Sequence, residues 1–204
     1  MGILQLLKTG AELEREQYHN TLAWHFDALV GHVIEMRSGS TTRALSFAGD
    51  LILSAQHRGE PCAWITTTKS FFFPPDFDYN GIDLNGLAVL NVPDAHDAAF
   101  CADRLLKSSG FGCIVLDLDA SPYFPIPLQR RIAMLAKKER ACILYLIAAE
   151  EENDEQSPRR YFTGTQILAS SRPPKDTLNF EIELDHKKGI FRHKETKSGT
   201  PGLH

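Results

Sequence analysis

The sequence predicts an α/β domain: a three-layer core around a mostly parallel sheet, with antiparallel strands added near the C-terminus. Two observations carry that expectation. From Gly31 to Ile147, short apolar runs of strand length alternate with segments of helical period, the rhythm of βα crossovers. Within that rhythm, Cys113-Ile114-Val115-Leu116-Asp117 is apolar on both faces, as a central strand of a parallel sheet must be.

The elements follow in order. Ile3 to His19 places apolar residues at helical spacing (Ile3, Leu6, Leu7, Leu13), so residues 1–30 form an N-terminal helical segment, with Trp24 and Phe26 available to pin it to the domain. Val33 to Met36 is the first strand. Ala44 to Gln56 is a helix, apolar at Leu45, Ala48, Ile52 and Ala55 and closed by Gly59. Cys62 to Thr66 is the second strand. The run Phe71-Phe72-Phe73-Pro74-Pro75 stops any strand, because adjacent prolines remove donors and fix φ. Leu87 to Val92 is the third strand. Asp94 is suited to N-cap a helix that runs to Ser108 and stops at Gly110. Cys113 to Asp117 is the fourth strand, Leu128 to Lys138 a helix with Pro127 in its first turn, and Cys142 to Ile147 the fifth strand.

After Ala149 the character changes. Glu150-Glu151-Glu152-Asn153-Asp154-Glu155 repels itself and buries little, so residues 150–163 read as an acidic, mobile loop. Thr165 to Ser170 and Leu178 to Leu184 read as strands, and Ile190 to His193 as a hairpin return after the turn at Asp185–Gly189. Residues 31–149 thus form the core, 164–197 complete it, and 198–204 are a disordered tail.

A net charge of −4 argues against a protein that coats nucleic acid by bulk electrostatics. Cys62, Cys101, Cys113 and Cys142 lie far apart, with no C-x-x-C pair, which predicts buried free thiols and no zinc site. His19 with His25, and His186 with His193, form no complete ligand set and read as exposed or core histidines, which predicts no metal. Met1 to Leu7 is too short for a secretory leader, and no apolar run approaches the ~20 residues that span a bilayer. A cytoplasmic protein without a membrane segment is expected.

The chemistry-bearing stretch is Ser38-Gly39-Ser40-Thr41-Thr42-Arg43-Ala44-Leu45-Ser46. Strand, small polar loop and helix is the layout that presents backbone N–H groups to phosphate. A working loop reads G-x-x-x-x-G-K-[ST], its lysine reaching the terminal phosphates and its hydroxyl holding magnesium. No lysine is present here. Ser40, Thr41 and Thr42 read equally well as capping and turn residues for the helix that follows.

On these residues the chain resembles the RecA recombinase family. Gly31 to Ile65 can be laid without a gap on the family's stretch around its phosphate loop. Gly81-Ile82-Asp83-Leu84, Pro93-Asp94 and Ser109-Gly110 resemble the next βαβ unit, leading into Cys113 to Asp117 at the place of the second nucleotide motif. The resemblance covers Gly31 to Ile147 and implies a RecA-like core of the phosphate-loop NTPase type. It implies ATP and Mg²⁺ as ligands of working members, and a vestigial nucleotide site here at Ser40, Thr41, Thr42, Arg43, Ser46 and Asp117.

The departures fall on the chemistry. In this register the loop's last glycine becomes Arg43, its lysine Ala44 and its magnesium hydroxyl Leu45, with Ser46 one position late. Losing the lysine removes a charge-assisted bond of about 1.5–3 kcal/mol and the cation that stabilises the transferring phosphate. The position of the water-activating glutamate is Thr68, and no phosphate-sensing polar motif is recognisable in Ala148-Ala149-Glu150-Glu151. These losses predict no ATP turnover, no catalytic residue and no cofactor.

Short relatives with decayed nucleotide sites resemble the ImuA and SulA group of bacterial DNA-damage-response proteins. That resemblance implies a non-catalytic accessory protein of DNA repair, recombination and the SOS response, acting on a RecA-type recombinase or a translesion polymerase. The alternative is a divergent ATP-binding, DNA-dependent recombinase using Arg43 and Ser46 with weakly held ATP and Mg²⁺. The basic cluster Lys187, Lys188, Arg192 and Lys194, with His193 and Lys197, is the expected DNA or partner contact, or solvated surface.

Overall fold

The structure, a computed structural model, describes residues 25–38, 41–67, 77–78, 81–118, 122–148, 162, 167–172, 179–186 and 195–198. In chain order the elements are α1 (Phe26–Leu29), β1 (Val33–Ser38), α2 (Thr41–Gln56), β2 (Cys62–Thr67), β3 (Leu87–Val92), α3 (Ala95–Lys107), β4 (Cys113–Leu118), α4 (Ile126–Glu139) and β5 (Cys142–Ala148). Three further strands follow: β6 (Ile167–Arg172), β7 (Asn179–His186) and β8 (Glu195–Ser198).

The strands form one sheet in the order β3-β2-β4-β5-β1-β6-β7-β8. Strands β1 to β5 are parallel throughout, each joined to the next by a crossover that carries a helix or a longer connection. β6 pairs parallel with β1, β7 runs antiparallel to β6, and β8 antiparallel to β7. The first strand in sequence therefore lies inside the sheet, between β5 and β6. The expected return at Ile190 to His193 lies outside the described residues, and the strand that pairs with β7 is Glu195–Ser198.

Among the described residues of β1, β2, β4 and β5 the side chains alternate between the two faces of the sheet, and each face has its own core. On one face Ile34, Met36, Trp64, Val115 and Leu144 meet Phe47, Ala48, Leu51, Ile52 and Ala55 of α2. On the other, Val33, Ala63, Ile65, Ile114 and Ile143 meet Ala98, Ala99, Ala102 and Leu106 of α3 and Ile132 and Ala136 of α4. The period-2 pattern of the strands and the 3.6-residue stripe of the helices thus produce the three layers.

Local chemistry sets the boundaries. Asp94 caps α3 by accepting from the Asp97 N–H at 2.9 Å. Pro127 occupies the first turn of α4, where its missing N–H costs nothing. Gly59 ends α2 at φ +76°, as read from the sequence. α3 differs: the residue in the left-handed region after it is Ser109, at φ 54°, and not Gly110. The Ser109 hydroxyl donates to Glu139 at 2.7 Å, a contact from the neighbouring helix that helps hold that conformation. Gly112 is required by close approach, since a Cβ there would lie 2.7 Å from the Cβ of Glu60.

Three of the four cysteines open adjacent strands in register, Cys62 against Cys113 and Cys113 against Cys142. All three are buried free thiols on the α2 face, as expected, while Cys101 on α3 is half-buried. Hydrogen bonding to Cys113, then burial, pushes the Cys62 thiol well up, and Cys113 is raised in the same way through Cys142. A row of sulfurs across three strands does not enclose a point, so it offers no tetrahedral zinc cage.

Candidate functional site

In a parallel sheet the functional edge is the one at the strands' carboxyl ends, where the loops and helix N-termini converge. Here that edge carries Ser38 of β1, Thr66 and Thr67 of β2, Asp117 of β4 and Ala148 of β5. Thr66 and Asp117 are register partners on adjacent strands, and alternation places both on the α2 face. Both are buried, Asp117 at 9% exposure. Thr66 spends its hydroxyl on the Thr67 carbonyl at 3.3 Å. The Thr67 hydroxyl, on the opposite face, is buried with no hydrogen-bond partner among the described residues.

The first crossover is tighter than the sequence suggests. β1 runs two residues further than expected, to Ser38, and α2 begins three residues earlier, at Thr41. Only residues 39 and 40 separate them, and Ser40 lies outside the described residues. Thr41, Thr42 and Arg43 thus belong to the first turn of α2 by their backbone. Their side chains lie outside the described part. The physical reason is local: hydroxyl residues are favoured where a helix leaves its first N–H groups without intrahelical acceptors. The seven residues expected between strand and helix, Arg37 to Arg43, are reduced to a two-residue link.

Ser46 lies one turn further along α2, half-buried. Of the residues assigned to a nucleotide, the structure therefore puts Asp117 at the carboxyl edge and Ser46 on the helix covering the same face. At the last two positions of β1, β2, β4 and β5, neither lysine nor glutamate occurs. Thr68, Lys187, Lys188, Arg192 and Lys194 lie outside the described residues, and Lys197 is described only as backbone of β8.

A second polar cluster escaped the sequence reading. Glu35 is fully buried in β1, facing α3 and α4, with Tyr145 of β5 as its register partner. Its carboxylate accepts the backbone N–H of Phe162 at 3.3 Å. Phe162 stacks against Phe124 and Tyr145, with ring centroids 4.4 and 4.6 Å apart, and Phe124 meets Tyr145 edge-on. Gln129 of α4, also buried, donates to the Phe124 carbonyl at 2.8 Å. Burial, followed by the charge of Glu35, raises the Tyr145 phenol above its ordinary range, so this hydroxyl stays protonated at neutral pH.

The cluster ties the chain at Phe162 to the sheet. Residues 150–163 were expected to be solvated, and the one described residue among them, Phe162, is a buried anchor with 1% exposure. The signal was present in the sequence as a single carboxylate inside an apolar strand and an aromatic pair, Tyr161-Phe162, just after the charged run. What the sequence lacked was the register that brings residues 35, 145 and 162 together.

Among the described residues one group of potential metal ligands converges: Asp94, His96 and Asp97, all exposed at the start of α3. Asp94 is committed to the helix cap, and the imidazole of His96 stands 3.9 Å from Asp97. These are capping and surface groups. No described helix is long and apolar enough to cross a membrane.

No protein-family model matches the chain, and no curated protein matches it.

Proposed function

We propose that this protein is a non-catalytic RecA-like accessory factor of the bacterial DNA-damage response, acting in the cytoplasm by protein contact with a recombinase or a translesion polymerase. The observation that carries the reading is the first crossover. A β1–α2 junction sits inside a parallel sheet at the carboxyl edge that also carries Asp117, with β5 between the two strands, and the span that should cradle phosphate is shortened to two residues between Ser38 and Thr41. The scaffold is kept, while Ala44 and Thr68 stand where working members of the resembled family carry the lysine and the water-activating glutamate. The sheet order, with its interior first strand and a single strand (β7) running against the rest, supports the RecA-like half of the reading.

Such a protein works by shape and surface. Its fold resembles that of the protomer it would meet, which allows it to occupy a filament end or a neighbouring position without turning nucleotide over. The test is an ATP-binding and hydrolysis assay with and without single-stranded DNA, run beside co-purification with the host recombinase and polymerase. Partner binding without hydrolysis is the expected result. Hydrolysis abolished by Asp117→Ala would replace the reading with the divergent recombinase.

A further inference from the structure

We infer that the outer face of α4, extended by Phe100 and Arg104 of α3, is a docking surface for an acidic amphipathic segment of a partner protein. The whole chain carries a charge of −4. Within Ile126–Arg140, however, five basic side chains stand against the single carboxylate of Glu139. Arg131 pairs at 2.7 Å with buried Asp103, a carboxylate shared with Lys107, and Lys138 pairs with Glu139 at 2.7 Å. Among the described residues Arg130, Lys137 and Arg140 face no carboxylate.

Between these cations the helix exposes apolar area. Met134 is 67% exposed and lies one turn from both Arg130 and Lys137. Ile126 continues the ridge at 45%, and Phe100 of the adjacent α3 is 47% exposed with the Arg104 guanidinium 4.9 Å over its ring. The two helices are joined by the Arg131–Asp103 ion pair, so this is one surface. Apolar anchors at helical spacing, flanked by uncompensated charge of one sign, are what an amphipathic helix of opposite sign recognises.

Charge spacing selects protein over nucleic acid. Arg130 and Lys137 are seven residues apart, about 10 Å along the helix, whereas duplex DNA carries one charge per ~1.7 Å. A phosphate backbone would leave most of its charge unmatched on this face and would gain little from Met134 and Ile126. An acidic helix matches a carboxylate to each turn or two and buries the methionine between them. The proposal deepens the accessory reading by naming its docking face, and it rests on that reading only in expecting a recombinase or polymerase as partner.

The experiment measures fluorescence anisotropy of a synthetic amphipathic helical peptide whose polar face is glutamate, with three comparators: the same peptide bearing glutamine, oligo(dT), and the untitrated protein in sedimentation. The expected result is binding of the glutamate peptide that weakens about tenfold or more with Arg130→Glu/Lys137→Glu, and severalfold with Met134→Asp, at unchanged circular dichroism. Equal binding of the glutamine peptide, or tighter binding of oligo(dT) through the same residues, would overturn it. So would self-association abolished by the double variant, which makes a second copy the occupant. If wild type and double variant co-purify equally with the recombinase or polymerase, the α4 face is not the docking site and the accessory reading stands. If the glutamate peptide binds here but neither partner does, the surface stands and the accessory reading falls.

Discussion

The two faces of the sheet use their helices differently. On one, α2 is sunk into the core: Ala48, Leu51, Ile52 and Ala55 have no exposed surface, and every side chain described from Ala44 to Gln56 is buried or half-buried. Phe77 and Ile82 close over it beside Gly49, and Phe77 meets Trp64 edge-on at 5.1 Å. On the other face, α3 and α4 bury only an inner stripe. Their outer sides carry Phe100, Met134 and most of the local positive charge.

Polar groups divide the same way. The α2 face holds a row of thiols packed among apolar side chains, with buried Thr66 and Asp117 only at its carboxyl edge. The α3–α4 face buries Glu35, Asp103 and Gln129, each with a named partner. A buried polar group that loses its partner costs more than the bond it made, so these contacts fix segments in place more than they add stability. One face thus invests in cohesion, and the other in positioning and in what it shows to solvent.

The sharpest test of this contrast is a pair of truncations. Ile52→Ala on the sunken helix is expected to lower unfolding free energy by about 2–5 kcal/mol, while Met134→Ala on the open helix stays within about 0.5 kcal/mol. Chemical denaturation of both variants measures it, and similar losses would erase the distinction between the layers. Next in size, Gly112→Ala forces the chain at Gly112 away from Glu60, which leads into β2, and should cost about 1–3 kcal/mol, read as a lower thermal midpoint with β2 and β4 amides exchanging faster.

Glu35→Ala leaves the Phe162 N–H buried without its acceptor, at a cost of about 1–3 kcal/mol. Glu35→Gln retains an acceptor and should recover part of it. Limited proteolysis near Phe162 supplies the second readout, since only loss of the anchor should speed cleavage there. If alanine and glutamine behave alike, the carboxylate is not what holds that segment.

The smallest expected effect is alkaline. Cys62, Cys113 and Tyr145 have folded-state pKa values raised above their unfolded ones. Groups raised in this way contribute stability that is complete below the unfolded pKa and is lost as pH rises beyond it. Stability should therefore fall above the ordinary thiol range, near pH ~8.5, and continue to fall through the phenol range. Cys113→Ala should shallow the first part of that decline in a pH series of melting temperatures, whereas an unchanged slope would mean the row of thiols is not linked to folding.

Much of the fold was legible one element at a time. Leu87–Val92 was read to the residue, the Asp94 cap and the Pro127 turn were recognised by their chemistry, and the free thiols followed from cysteine spacing. Boundaries slipped where two rules competed. The hydroxyls of Thr41 and Thr42 suit both a loop and a helix's first turn, and the backbone took the helix. At the end of α3, Gly110 was the better residue for a left-handed turn, yet a hydrogen bond from a neighbouring helix accompanies Ser109 in that conformation.

By itself the sequence determined the alternation of strands and helices, the absence of a lysine from the phosphate-type loop and the excess of positive charge in α4. Those are properties of residue type and period, which local physics reads without a partner. Only the tertiary structure decided that β1 lies inside the sheet, that Glu35, Tyr145 and Phe162 meet, and that the cysteines line up across three strands. Each of these depends on strand order and register, which are set by how whole faces bury against one another and leave no local mark in the chain.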